Sequence, residues 1–273
     1  MLNPGRHRPT STGHLARLFI FAIVLAVCFV GCKTVSEPES GSKTGEADTT
    51  AAPKPDTDGV IHSGSGVEKE RPASGKANVQ GKVLYNEKPV EGIEVKLCET
   101  FSQFVGGCGG EMFTTRTDAN GEYLIKDVPP GTYEGLTAKV FDTPYYVFAT
   151  SGFVGAAKYQ IDADETFFAP DTHLFKNDLK LVSPKAGAKI SPENIEVKWD
   201  SYPDAAYYKF SVHADSSTEA KTDYDYINKR VDGTSFVLDK SLSPGTYSII
   251  VTAYNSNERK LADSSRDIKF SVE

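Results

Sequence analysis

VQGKVLYNEKPVEGIEVKL, residues 79–97, and TDANGEYLIKDVPPGTY, residues 117–133, decide the fold. Val79 to Tyr85 reads as a strand, and Asn86-Glu87-Lys88-Pro89 as the turn that ends it. Ile93-Glu94-Val95-Lys96-Leu97 alternates apolar and polar side chains, the pattern of a strand with one face in a core and one in water. Thr114 to Thr117 is a returning strand. Asp118-Ala119-Asn120-Gly121 predicts a hairpin turn, because Asn-Gly tolerates the positive φ angles that tight hairpins need. Tyr123-Leu124-Ile125 is the next strand, and Val128-Pro129-Pro130-Gly131-Thr132-Tyr133 closes another turn. Short alternating runs at this spacing predict a small antiparallel sandwich.

The pattern restarts after Asn177-Asp178. Leu179-Lys180-Leu181-Val182-Ser183-Pro184, Ile195-Glu196-Val197-Lys198-Trp199, Tyr207 to Val212, Leu242 to Val251 and Ile268 to Val272 are each short, apolar-rich and bounded by turn residues. The expected architecture is all-β: two consecutive antiparallel β-sandwiches, over residues 78–176 and 177–273. The composition agrees, with 15 Phe, 13 Tyr and 11 % aromatic residues overall, which suits β structure.

Two resemblances sharpen this. Gly81/Val83, Pro89/Val90/Gly92/Val95, Thr117/Asp118/Gly121/Tyr123 and Pro130/Gly131/Tyr133, with Gly152-Phe153 and Glu165-Thr166 further on, make residues 78–176 similar to the carboxypeptidase regulatory-like domain. That resemblance implies a transthyretin-like, seven-strand, non-catalytic module. LKLVSPKAG at 179–187, Trp199 and Leu242-Ser243-Pro244-Gly245-Thr246-Tyr247 make the second segment resemble bacterial fibronectin type III-like domains. This second resemblance implies a core Trp199 and a tyrosine-corner hydrogen bond from Tyr247.

The N-terminus addresses the chain. Arg6, His7, Arg8 and Arg17 precede an uncharged apolar run from Leu18 to Gly31. Fourteen residues make about 21 Å of helix, short of the ~30 Å hydrocarbon core, so the run is read as a signal sequence over 1–31. Phe29-Val30-Gly31-Cys32 resembles the lipobox of bacterial lipoproteins, with Phe29 where Leu is usual. The resemblance implies cleavage before Cys32, its acylation, and a membrane partnership through that lipid. The alternative is an uncleaved anchor with an incidental cysteine. Lys33 after the lipid site hints at the outer membrane or cell surface rather than the inner membrane. Residues 32–77, rich in Ser, Thr, Glu, Gly, Pro and Lys, predict a disordered tether with an r.m.s. span of roughly 35–40 Å.

Charge narrows the partners. Three of the 30 basic residues (Arg6, Arg8, Arg17) precede Cys32, leaving 27 against 37 acidic residues and a net charge of −10 after processing. Nucleic acid, whose binding rests on Lys and Arg at phosphates, is not an expected partner.

Few constellations carry chemistry. Cys98 and the Gly-rich loop cysteine Cys108 predict a disulfide in an oxidising compartment, with free thiols or a redox pair as the alternatives. No His-Glu-x-x-His, nucleophile elbow or phosphate loop is present, so no metal, cofactor or catalytic set is expected and the chain is read as non-enzymatic. Asp171 and His173, two apart on a strand, are placed to pair. Asp118-x-Asn120-Gly121 begins like a calcium loop but lacks the distal Glu. Phe101, Phe104, Tyr145, Tyr146 and Phe153 are candidate ligand contacts, or else fill a core or the contact between sandwiches. The expected function is a lipid-anchored envelope or surface protein holding a protein or carbohydrate ligand. Its alternative is a purely structural spacer or assembly subunit.

Overall fold

The computed structural model describes residues 56, 58–102, 107–152, 155–216, 219–265 and 268–273, with side chains excepted at 151, 152, 155 and 156. The expected signal sequence, Cys32, residues 33–55 and 57 of the expected tether, Phe104 and Phe153 lie outside the described residues. Residues 50–273 form one compact unit. Every long element in it is a strand; the described residues hold a single 3-10 turn, Tyr224–Tyr226.

Two sheets make the first sandwich. One runs Val60–Ile61, Lys158–Ile161, Gly131–Lys139, Glu94–Ser102, Gly107–Arg116, with Tyr146–Phe148 also on Gly131–Lys139. The other is built on Ala77–Tyr85, flanked by Lys88–Pro89, Glu122–Val128, Thr166–Phe168 and Thr172–His173. Val79, Val83, Val95, Leu97, Tyr123, Ile125, Leu136, Tyr159 and Phe167 meet between them in one buried cluster. In the second sandwich the larger sheet runs Lys176–Leu179, Lys260–Ser264, Gly245–Tyr254, Tyr207–Ala214, Lys229–Val231, with Lys269–Val272 on Gly245–Tyr254. Leu181–Ser183, Glu196–Trp199 and Ser235–Val237 form the smaller one. A separate cluster fills it, centred on Trp199, which is 2 % exposed, with Phe210, Tyr247, Ile249, Val251 and Phe270.

Local motifs account for the tightest contacts. Asn86 and Glu87 have φ of 49° and 61°, the double left-handed pair of a two-residue hairpin, and they set Leu84 opposite Pro89 and Tyr85 opposite Lys88. A Cβ at Gly81 would stand 2.4 Å from the Tyr123 hydroxyl, so only glycine lets that ring cross the neighbouring strand. The Tyr247 hydroxyl donates to the Ser243 carbonyl at 2.8 Å, the expected tyrosine corner. The first sandwich repeats it: Tyr133 donates to the Pro129 carbonyl at 2.9 Å, after the same Pro-Gly-Thr-Tyr sequence.

Three expectations need correction. The sandwiches are not purely antiparallel: Thr166–Phe168 and Thr172–His173 run parallel to Ala77–Tyr85, and Lys176–Leu179 parallel to Lys260–Ser264. Alternation along one strand reports which face is buried, not the direction of its partner. Asp118–Gly121 is not a hairpin, because the strands it joins, Gly107–Arg116 and Glu122–Val128, belong to different sheets. The turn docks on the opposite sheet, where Val83 N–H donates to the Gly121 carbonyl at 2.8 Å. Asp118 Oδ1 accepts from the Asn120 and Glu122 amides, so this side chain serves the corner.

The tether, finally, ends well before residue 77. Val60–Ile61 adds a parallel edge strand to Lys158–Ile161, and Ile61 is 0 % exposed in the first core. Residues 62–70 then lie along the sandwich. Gln80 holds them by accepting from the Lys69 amide and donating to the Val67 carbonyl, both at 3.0 Å, and Lys69 reaches Asp118 and Glu122 at 2.7 Å. One buried isoleucine in a polar run has no periodicity to betray it.

Candidate ligand-binding cleft

The candidate aromatics divide once their surroundings are known. Phe101, on Glu94–Ser102, is half-buried with its ring edge-on to Phe148 at 4.8 Å. Gly135, at φ +67°, makes room for it, since a Cβ there would stand 2.8 Å from the Phe101 ring. Phe101 is thus a packing residue. The expected disulfide is present between Cys98 and Cys108, with Cα atoms 5.4 Å apart, and it ties Glu94–Ser102 to Gly107–Arg116 next to that ring.

Tyr146 is engaged through its hydroxyl, which donates to Glu94 Oε1 at 2.6 Å and accepts from Lys96 Nζ at 2.8 Å. Lys96 also lies 4.4 Å from the centre of the Tyr146 ring. The Tyr146 hydrogen bond, helped by Lys96, holds the Glu94 carboxyl below its usual range, and the same hydroxyl raises Lys96. Both groups stay charged and fix the ring. Tyr145 differs: it is 61 % exposed.

Tyr145 and Tyr146 form one wall of a cleft of about 620 Å³ whose other wall belongs to the second sandwich and the connector, with Phe175, Asn177, Asp263 and Ser264. Asp263 is a buried carboxylate, its side chain only 3 % exposed, and it is fully compensated. Thr252 Oγ1 donates to its Oδ1 at 2.7 Å, and Lys260 Nζ lies 2.5 Å from its Oδ2 and 3.7 Å from the centre of the Phe175 ring. Phe175, Asn177 and Asp263 escaped the sequence reading because nothing local marks them. They reach the cleft through pairing of Lys176–Leu179 with Lys260–Ser264, which are some eighty residues apart. A second groove, of about 470 Å³, runs beneath residues 65–69. Its Lys69, Glu122 and Gln80 are already satisfied by one another and by that segment, which leaves little for a ligand to bind.

The sandwiches meet at a polar joint. At the tip of the first hairpin, Asn86 donates to Asp204 at 2.8 Å and accepts from Asn255 at 2.9 Å, while Glu87 pairs with Arg259 at 3.2 Å. Tyr202 donates to Asp178 at 2.7 Å and so receives the Tyr85 hydroxyl, 3.2 Å away. His173 does not pair with Asp171, which is exposed; its Nδ1 is buried with no hydrogen-bond partner. Burial, and after it the Arg259 charge, lowers the His173 pKa. Among the described residues no three His, Cys, Asp or Glu side chains converge as metal ligands, and no helix is long and apolar enough to cross a membrane.

No family model matches the sequence, and no curated protein matches it. Solved structures do. The fibronectin(III)-like modules of CbhA from Clostridium thermocellum match at 15 % identity and a TM-score of 0.26, over 35 % of this chain and 95 % of that one. The FN1-FN3 domains of chicken CNTN1 match at 17 % and 0.25, over 81 % and 69 %. The full-length major pilin SpaD from Corynebacterium diphtheriae matches at 11 % and 0.27, over 70 % and 64 %. At such scores the architecture rests on the strands themselves, and function rests on the site.

Proposed function

We propose that this is a non-enzymatic, lipid-anchored envelope protein, attached through Cys32, that holds a protein or glycan ligand in the cleft between its two sandwiches. The observation that carries the reading is Tyr145, a large aromatic left 61 % exposed on the wall of a concave site, beside a Tyr146 ring already locked in place. Aromatic rings at the rim of a cleft on rigid sheets are the usual anchors of recognition. The lipobox-like Phe29-Val30-Gly31-Cys32 supports the anchor, and a Cys32→Ser variant is expected to lose acylation and membrane attachment. A variant that is cleaved yet still sediments with membranes would refute the anchor.

The cleft reading is tested by placing a photo-crosslinking phenylalanine at position 145, or at Val67 as control, in intact cells. Val67 is 87 % exposed but lies on the first sandwich away from the cleft. Adducts from 145 and none from 67 are expected. Adducts from neither, or equal yields from both, would leave the structural spacer as the better description.

A further inference from the structure

We infer that the cleft binds a neutral glycan, stacked on Tyr145 and hydrogen-bonded by Asn177; this rests on the reading of the cleft as the ligand site.

The two walls call for a ligand with two kinds of surface. Tyr145, Val147 and Phe175 offer apolar area, and the Tyr146 hydroxyl is consumed by Glu94 and Lys96, so that residue contributes only its ring. The C–H face of a sugar ring satisfies such a wall. Asn177 stands opposite, exposed, and its side-chain amide makes no hydrogen bond to any described residue. An amide offers donors and an acceptor together, which matches hydroxyl groups that are also both.

Charge selects a neutral ligand. Among the described residues that line the cleft Asp263 is the one carboxylate, and Lys260 and Thr252 already occupy its two oxygens. Lys260 is in turn held between that carboxylate and the Phe175 ring. Among the described residues a charged ligand meets no uncompensated partner there, and a polyanion is repelled by a chain of net charge −10 after processing.

An extended peptide is the other class to consider, and the strand edges beside the cleft disfavour it. Tyr146–Phe148 is three residues long, and the register of Lys176–Leu179 shifts at Asn177–Asp178. Short and bulged edges are poor templates for strand addition. The volume of about 620 Å³ lies within the ~300–1,000 Å³ of small-ligand sites, room for a few sugar units.

The test is calorimetric titration of the full chain in detergent with cellotetraose, maltotetraose, xylotetraose, mannotetraose and chitotetraose, and with tetragalacturonate as the anionic counterpart. At least one neutral tetraose is expected to bind saturably. Tyr145→Ala should weaken it at least tenfold, Tyr145→Phe less than threefold, and Asn177→Ala three- to tenfold, with no binding of tetragalacturonate. No saturable binding of any neutral sugar, or binding unchanged in Tyr145→Ala, overturns the inference. Crosslinks from position 145 to a protein, without sugar binding, would sink the glycan and leave the cleft as a ligand site. Neither crosslinks nor sugar binding would sink both.

Discussion

A tyrosine hydroxyl that bonds four residues back recurs in both sandwiches, at Tyr133 and at Tyr247. Each closes a Pro-Gly-Thr-Tyr turn, so removing the oxygen leaves a backbone carbonyl without its partner. Tyr133→Phe and Tyr247→Phe are each expected to cost about 1–2 kcal/mol, read from denaturant midpoints; a loss below a few tenths would show the corners to be ornamental. Gly81 and Tyr123 make a different kind of pair. The Tyr123 hydroxyl is buried without a hydrogen-bond partner and occupies the space a Cβ at 81 would take. Gly81→Ala should therefore destabilise the first sandwich, and adding Tyr123→Phe should recover part of the loss, since the ring carbon beneath the hydroxyl is also close, at 2.7 Å. These residues were legible in the sequence as motif positions. What the sequence withheld was that two positions of the pattern, 42 residues apart, are one contact.

At the scale of elements, local alternation located the strands well and their partners poorly. Gly245–Tyr254 buries every second residue from Tyr247 onward, as alternation demands. Val60–Ile61 follows no such rule, and the polar composition around it reads as tether. Its contribution is testable. Ile61→Ala is expected to lower the stability of the first sandwich by about 2–4 kcal/mol, the range for emptying a core site, and a chain begun at residue 78 should be less stable than one begun at residue 56 by at least as much. Equal melting of the two truncated chains would mean the edge strand contributes nothing. The Cys98–Cys108 bond is expected from the cysteine pair beside a glycine-rich loop, and it is present. Reduction opens a loop of sequence separation 10, and on the chain-entropy model should cost roughly 2–3 kcal/mol. The nearby packing of Phe101 on Phe148 should loosen with it, which methyl and ring signals in NMR would report.

For the whole molecule the joint is what matters, because the cleft exists only while the sandwiches keep their relation. Leu174 belongs to the first core and Leu179 to the second, so the connector is Phe175–Asp178 alone, and it is largely strand. A second attachment at the Asn86–Glu87 tip, through Asp204, Asn255 and Arg259, fixes the orientation that a single connector would leave free. His173 lies at this joint with Arg259, Glu87 and Asp171 around it. Its pKa is depressed in the folded chain, so its neutral form favours folding. That contribution is intact above the ordinary value near 6.5 and falls away as pH drops below it. The melting temperature should thus decline below pH 6.5 less steeply in His173→Gln than in the native chain; identical slopes would remove His173 from the account. The cleft itself was half legible: Tyr145 and Tyr146 stood out as aromatics, whereas Phe175, Asn177 and Asp263 arrive by pairing between distant strands.

The most direct test is the distance between spin labels at Met112, on the first sandwich, and Tyr224, on the second, both of which are exposed. Pulsed dipolar spectroscopy of the full chain should give one narrow distribution, broadened when Asn86→Ala and Arg259→Ala together undo the second attachment. A broad or multiple distribution in the native chain would mean that the sandwiches swing freely and that no lasting cleft exists for a ligand to enter.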